Sequence, residues 1–246
     1  TTNNTLIADA QAGVNGYGST PFGMINLTNT RFYRNWVGVN MPNTNSYGGH
    51  INGCTFKYDP ADALSNYLIA PHASQRPAIG ISANNSGGNA WNIPDQIGGT
   101  ANTFDGICIG VQAYYANVRV NSSTFLRIKD YNTSSAGKAI NAQSNYFSAY
   151  GNSVFVQTNT NTSGTPAFND CDYGVYSNIA HCTVQYNRMD NCLNGVYINS
   201  CNAHTVYINT NAINSTNAGI TFNTVVGTGS NNQAYNNTIN VNMPGI

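Results

Sequence analysis

The sequence at residues 187–199, NRMDNCLNGVYIN, holds the most complete copy of a unit that recurs along the chain. A large apolar residue, Met189, is followed six positions later by Gly195 and seven positions later by Val196. From there apolar and polar residues alternate, which is the period of a β-strand with one buried and one exposed face. The pattern predicts that Val196 points inward and that Tyr197 points outward.

The same spacing recurs over almost the whole chain, at intervals of 21–26 residues with one interval of 48. A Gly-Val type of pair follows most of the large apolar residues, with Ser153-Val154 after Phe147 and a displaced Gly80-Ile81 after Phe56. The interval of 48 is either two units or one unit with long loops. The large apolar residues, here called anchors, are Ile7, Phe32, Phe56, Phe104, Phe125, Phe147, Phe168, Met189, Ile213 and Ile239.

A repeat of this length without helical segments predicts an all-β fold, a parallel β-helix whose coils stack their strands around a shared core. We expect about ten coils of 21–26 residues with loop insertions, in a single domain over residues 1–246. The proline-rich range 57–100 interrupts the repeat and is predicted to be an irregular insertion. Since solenoids need polar caps and neither end of the sequence supplies one, the chain is expected to be a piece of a longer solenoid.

Composition narrows the possible functions. Only 7% of the residues are charged, all nine acidic residues are Asp, and the formal net charge is zero. Without a basic surface, nucleic-acid binding is not expected. No apolar run is long enough for a membrane span. The 11% of aromatic residues favours an ordered core over a disordered chain.

Asparagine is common two residues before the anchors, as at Asn187, Asn211 and Asn237. An Asn side chain at a coil corner can both donate to and accept from the equivalent Asn one coil away. We therefore predict a hydrogen-bonded ladder of these three side chains. The alternative is that an Asn-rich chain places Asn at turns without any ladder.

With its Asn-x-Phe/Ile corners and Gly-Val rungs, the chain resembles the right-handed parallel β-helix proteins that Gram-negative bacteria export, especially the Asn- and Thr-rich surface proteins of Bacteroidota. The resemblance covers nearly the whole sequence. It implies a right-handed coil and a location outside the cell or on the bacterial surface. It says little about activity, because the same scaffold carries lyases, hydrolases, adhesins and passive stalks.

A catalytic alternative rests on the densest charged group in the sequence, Asp170, Asp172, Arg188 and Asp190. A polysaccharide lyase or glycoside hydrolase needs such carboxylates for acid and base work, and a lyase could use them to bind Ca²⁺. The structural alternative is a set of solvated corner residues in ion pairs. Arg127-Ile128-Lys129 is similar to an element of polygalacturonases, but the accompanying Asp and His elements of that family are missing.

No cofactor or metal site is predicted outside that alternative. The histidines, at positions 50, 72, 181 and 204, lack the spacing of metal ligands.

Among the six cysteines, Cys171 and Cys192 each precede a repeat glycine by three residues, so they are predicted to lie next to each other in consecutive coils. Either a disulfide or a pair of buried free thiols would fit that spacing.

Tyr176 and Tyr197 each follow a repeat glycine by two residues, so they are predicted to stack on one outer face, with Gln112 and Thr221 at equivalent positions. Such a row suits sugar rings, although a purely structural aromatic pair has the same sequence pattern. The leading interpretation is a non-catalytic extracellular scaffold or adhesin that contacts glycans or other surface proteins. Polysaccharide cleavage is the alternative.

Overall fold

The computed structural model of the chain describes residues 2–3, 5–16, 25–42, 49–58, 78–84, 95–98, 100–131, 136–143, 153–158, 166–200, 205–223 and 232–242. All regular elements in these ranges are β-strands. In chain order they are β1 (Thr2–Asn3), β2 (Leu6–Ala8), β3 (Ala12–Asn15), β4 (Asn26–Thr28), β5 (Arg31–Tyr33), β6 (Val37–Pro42), β7 (His50–Asn52), β8 (Thr55–Lys57), β9 (Ile79–Asn84), β10 (Asp95–Ile97), β11 (Thr103–Asp105), β12 (Ile109–Tyr114), β13 (Val118–Asn121), β14 (Thr124–Leu126), β15 (Lys138–Gln143), β16 (Ser153–Gln157), β17 (Phe168–Asn169), β18 (Tyr173–Asn178), β19 (His181–Gln185), β20 (Arg188–Asn199), β21 (Val206–Asn209), β22 (Ala212–Asn223), β23 (Asn232–Tyr235) and β24 (Thr238–Val241).

The strands form three strips, and each coil contributes to the strips in turn. The first strip is a nine-stranded sheet in the order β1, β4, β7, β10, β13, β16, β19, β21, β23. The second strip stacks β2, β5, β8, β11, β14, β17, the first halves of β20 and β22, and β24. The third strip stacks β3, β6, β9, β12, β15, β18 and the second halves of β20 and β22. The strands pair in parallel, so the predicted parallel β-helix is confirmed.

Strand register confirms the anchor pattern at nine positions among the described residues. Phe56 pairs directly with Phe104, so the interval of 48 residues is one coil with long connections rather than two coils. The second strip aligns Ile7, Phe32, Phe56, Phe104, Phe125, Phe168, Met189, Ile213 and Ile239 in consecutive coils.

The spacing rule was wrong between Phe125 and Phe168. These two residues pair directly, so one coil fills the interval to which the sequence pattern assigned a further anchor, Phe147. Phe147 itself lies outside the described residues. Val154, predicted to follow it in the third strip, instead pairs with Val118 in the first strip.

The range 57–100 is only partly an insertion. Within it, β9 pairs with β6 and β12, and β10 pairs with β7 and β13, so both strands continue the regular strips. Residues 59–77, 85–94 and 99 of this range lie outside the described residues. Across the described part of the chain, no helix is long and apolar enough to cross a membrane.

A column of stacked phenylalanine rings forms the centre of the core. Neighbouring rings have centroid separations of 4.7–5.0 Å and interplanar angles of 3–9°. This spacing is close to the ~4.8 Å between paired strands, so one ring per coil fills the column. The column contains Phe32, Phe56, Phe104, Phe125 and Phe168.

The predicted asparagine ladder is present at the corner between the first and second strips. The Nδ2 of Asn187 donates to Oδ1 of Asn211 over 2.9 Å, and Nδ2 of Asn211 donates to Oδ1 of Asn237 over 2.9 Å. The ladder continues to Thr158, whose backbone N–H and Oγ1 both donate to Oδ1 of Asn187. Thr158 was not predicted as a ladder member, because it precedes its anchor Phe168 by ten positions rather than by two.

Candidate functional site

The charged group singled out in the sequence lies around the corner between the second and third strips. We call Lys129, Asp170, Asp172, Arg188 and Asp190 the charged corner. Register pairs Asp190 with Asn169, so Asp170 and Asp190 are one residue out of alignment rather than stacked as equivalents. The backbone N–H of Asp170 donates to the carbonyl oxygen of Asp190 over 3.1 Å.

Two carboxylates of the charged corner are held in ion pairs. Lys129 Nζ lies 2.6 Å from Oδ1 of Asp170. The guanidinium of Arg188 contacts Oδ2 of Asp190 from both Nε, at 2.9 Å, and Nη2, at 2.8 Å. Oδ1 of Asp190 also accepts from Nδ2 of Asn214 at 2.7 Å. Both carboxylates are therefore tied to neighbouring side chains.

The third carboxylate, Asp172, anchors a connection. Its Oδ2 accepts the backbone N–H of Asp130 at 2.9 Å and that of Gly137 at 2.8 Å. These bonds fasten both ends of the segment between Lys129 and Lys138 to the corner. Within the described ranges, no group of three or more His, Cys or Asp side chains is placed to hold a metal ion.

Arg127 and Lys129, the two cations of the polygalacturonase-like element, serve as ion-pair partners. Arg127 binds Asp105 through Nε at 2.8 Å and Nη2 at 2.7 Å. Ile128 between them is fully buried. The element does not continue a strand, since β14 ends at Leu126 and Arg127 has a positive φ of 52°.

The predicted tyrosine pair is present on the outer face of the third strip. Tyr176 pairs in register with Tyr197, and their rings stack with a centroid separation of 5.6 Å and an angle of 3°. Gln112 and Thr221 occupy the same column in other coils, as predicted. Each ring therefore covers one face of the other, and both side chains are half-buried.

The sequence did not indicate two further members of this surface, Tyr173 and Lys138. The ring of Tyr173 meets both stacked rings edge-on, with centroid separations of 5.6 Å. The ammonium of Lys138 lies 4.9 Å from the centre of the Tyr176 ring, at a distance typical of a cation–π contact. Lys138 pairs in register with Tyr173, a relation that becomes visible only once β15 is placed after its long connection. We call Lys138, Tyr173, Tyr176 and Tyr197 the tyrosine face.

Burial shifts the pKa values of three side chains in the tyrosine face. It raises the pKa of Tyr173 and of Tyr176, and the neighbouring Tyr197 adds to both increases. These phenols therefore stay neutral at physiological pH, with hydroxyl groups that can donate and accept hydrogen bonds. Burial lowers the pKa of Lys138, and the nearby carboxylate of Asp130 opposes that decrease.

Cys171 and Cys192 are both buried and are free thiols in the structure, rather than a disulfide. Burial raises the pKa of Cys171 well above its ordinary value, and its hydrogen bond with Cys192 acts in the same direction. Each sulfur also lies near a backbone carbonyl, with Sγ of Cys192 3.7 Å from the oxygen of Asp190. The two thiols fill the core next to the charged corner.

These thiols are expected to react slowly in the folded protein. Because both sulfurs are buried, and burial also raises the pKa of Cys171, iodoacetamide at about pH 8 should label Cys171 and Cys192 only after unfolding. Mass spectrometry of a non-reduced digest measures this result. A peptide pair linked through the two residues, or rapid labelling of the native protein, would contradict it.

In comparisons with protein-family models, with curated proteins and with solved structures, no match to this chain was found.

Proposed function

We propose that this chain is a non-catalytic extracellular β-helix scaffold that contacts glycans through the tyrosine face. The observation that carries the proposal is the set of three tyrosine rings held against one another at centroid separations of 5.6 Å. Tyrosines fixed in this way offer apolar edges and hydroxyl groups with little loss of side-chain freedom on binding, which suits the mixed surface of a sugar.

The charge at the tyrosine face favours a neutral ligand. Its only cation, Lys138, already contacts the Tyr176 ring and lies near Asp130. Tyr173 and Tyr176 are neutral at physiological pH, since burial raises the pKa values of both. Hydroxyl-rich neutral glycans match this combination of polar tips and apolar rings.

The hydrogen-bond and ion-pair partners of the three aspartates in the charged corner favour a scaffold rather than an enzyme. A general acid or base must reach a substrate proton, and a calcium site needs several free carboxylate oxygens. Asp170, Asp172 and Asp190 instead accept from protein donors at 2.6–2.9 Å. Removing any one of them is thus expected to loosen a corner.

The extracellular location is part of the proposal, and the uncharged, amide-rich surface supports it. The chain has a formal net charge of zero, and outward amides form ladders of their own. In one of these, Asn199 donates to Asn178 and accepts from Asn223 at 2.8–2.9 Å. A surface built from amides and hydroxyls offers many hydrogen bonds to glycans or neighbouring surface proteins without electrostatic attraction to nucleic acid.

The double variant Tyr176→Ala, Tyr197→Ala is expected to lose glycan binding. Because it removes both stacked rings, it should weaken the interaction by about tenfold or more, if each ring contributes ~1 kcal/mol. Binding to an array of neutral and uronic-acid glycans, followed by titration of the best ligand, measures the loss.

Thr221→Ala and Gln112→Ala are matched controls, since both occupy the same outward column. They should leave binding unchanged. A double tyrosine variant that melts at a lower temperature but binds glycans normally would show that the pair is purely structural. Release of reducing ends or unsaturated products from the same polysaccharides, abolished by Asp190→Ala, would instead support the lyase or hydrolase alternative.

A further inference from the structure

A second surface feature lies on the first strip, away from the tyrosine face. It is an open cleft of about 180 Å³, and its lining includes Phe155, His181, Thr183, Thr205 and Tyr207. Its volume lies below the ~300 Å³ at the lower end of sites for drug-sized molecules, so it suits a single ring rather than a chain of rings.

Strand register produces the walls of this cleft. Phe155, Thr183 and Tyr207 occupy one outward column in three consecutive coils, so a short side chain lies between two aromatic ones. The strands that carry Phe155 and Tyr207 are two spacings apart, or roughly 9–10 Å. A flat ring between two walls needs about 3.5–4 Å on each side, which this gap provides above Thr183.

One face of Phe155 already has a partner. The guanidinium carbon of Arg119, in the preceding coil, lies 5.4 Å from the centre of the Phe155 ring. Thr183 is in the following coil, so the opposite face of the ring is on the side of the cleft. Arg119 thus supports this wall from behind and does not line the cleft.

The polar groups of the cleft are uncharged. The backbone N–H of Thr205 donates to Nδ1 of His181 over 2.9 Å, which places the proton of the neutral imidazole on Nε2. Burial lowers the pKa of His181, so the neutral form prevails at physiological pH. Thr183, Thr205 and Tyr207 carry hydroxyl groups, Cys182 carries a thiol, and none of the described residues that line the cleft carries a carboxylate, ammonium or guanidinium group.

We propose that this cleft binds one neutral pyranose ring between Phe155 and Tyr207, above Thr183. The aromatic walls match the apolar faces of a sugar ring, and the imidazole and hydroxyl groups match its hydroxyls. A charged ligand is disfavoured, because none of the cleft groups would compensate its desolvation. The choice of a neutral sugar rests on the proposed function. The cleft is nevertheless a separate site, since it lies on the first strip and the tyrosine face lies on the third.

Saturation-transfer NMR with the methyl glycosides of glucose, galactose, mannose and N-acetylglucosamine tests the proposal on the full chain. The wild-type protein should transfer saturation to at least one of them. Thr183→Phe should reduce this transfer about tenfold, because a third ring fills the gap while retaining a residue favourable in strands. Tyr207→Ala should have a similar effect by removing one wall.

The tyrosine-face variant Tyr176→Ala, Tyr197→Ala separates the two sites. Binding in the cleft should persist in this variant. Loss of binding at the tyrosine face would therefore leave binding in the cleft unchanged, and loss of binding in the cleft would leave binding at the tyrosine face unchanged. Melting curves confirm that each variant is folded. Absence of transfer to all four glycosides in the wild type, transfer unchanged in folded Thr183→Phe, or transfer lost only in the double tyrosine variant would each overturn the cleft site.

Discussion

Replacing Gly38 with alanine is expected to destabilise the β-helix by ~2–3 kcal/mol. A Cβ atom at this position would lie 2.5 Å from the carbonyl oxygen of Gly80 and 2.6 Å from Cδ1 of Phe56. Both atoms belong to the next coil, and the Phe56 ring is itself stacked between Phe32 and Phe104. Since neither the backbone nor the ring can move alone, the strain spreads across neighbouring coils.

Thermal unfolding followed by circular dichroism measures this effect. For a chain of this size, ~1 kcal/mol corresponds to about 2–4 °C in melting temperature, so a decrease of roughly 4–12 °C is expected. Gly16→Ala is the control, because its closest contact would be the end of the Ile25 side chain at 3.3 Å, with Pro42 Cδ and the carbonyl oxygen of Asn40 at ordinary distances of 3.6 and 3.7 Å. A Gly38→Ala protein that melts with the wild type would contradict the packing argument.

The contacts of Gly38 also explain why the sequence revealed the fold so clearly. Seven of the described anchors pack over the repeat glycine of the preceding coil, as Phe56 does over Gly38 and Phe104 over Gly80, whereas Ala139 holds the glycine position in the coil before Phe168. The glycine leaves room for the large apolar residue of the next coil, so the two residue types recur together in most coils. A fixed spacing between the two is the signal that a sequence can show without knowledge of the register.

The spacing rule predicted the wrong strand register where a coil contains long connections. The rule counts residues along the chain, whereas register depends on which strands exchange hydrogen bonds. Phe125 and Phe168 are 43 positions apart and still pair, so Phe147 looked like an anchor of its own. For the same reason the ladder member Thr158 was missed, although it occupies the same corner as Asn187.

The candidate site could be predicted only where its residues keep a fixed spacing from the repeat glycine. Tyr176 and Tyr197 follow the repeat glycine directly, so their stacking was visible in the sequence. The partner of Asp170 was not, because Lys129 precedes it by 41 positions and reaches it across a corner. Asp170 has a φ of 58°, and the direction of a side chain on such a left-handed residue does not follow from strand alternation.

The cleft on the first strip had no sequence signal for a related reason. Phe155, Thr183 and Tyr207 are separated by 28 and 24 positions, so no constant interval connects them. Their alignment follows from hydrogen bonding between β16, β19 and β21. Surface sites on this fold arise from columns of side chains, and connections of unequal length hide those columns in the sequence.

Replacing Asn187 with alanine is expected to cost roughly 3 kcal/mol or more, because several buried polar groups lose their partners together. Asn187 is completely buried. Its Oδ1 accepts from the backbone N–H and Oγ1 of Thr158 at 3.0 and 2.9 Å. Its Nδ2 donates to the carbonyl oxygen of Val156 at 3.1 Å and to Oδ1 of Asn211 at 2.9 Å. Water cannot readily replace these bonds inside the coil.

Asn199→Ala provides the matched control, since it removes the same amide from a ladder on the outer face. Asn199 donates to Asn178 and accepts from Asn223, but this ladder faces outward and water can satisfy the partners left behind. Its expected cost is about 0.5 kcal/mol. Chemical denaturation of both variants measures the difference. Equal losses would mean that the inner ladder adds no more than the outer one, whereas a larger loss for Asn187→Ala would identify the buried amides as the groups that fix how consecutive coils stack at this corner.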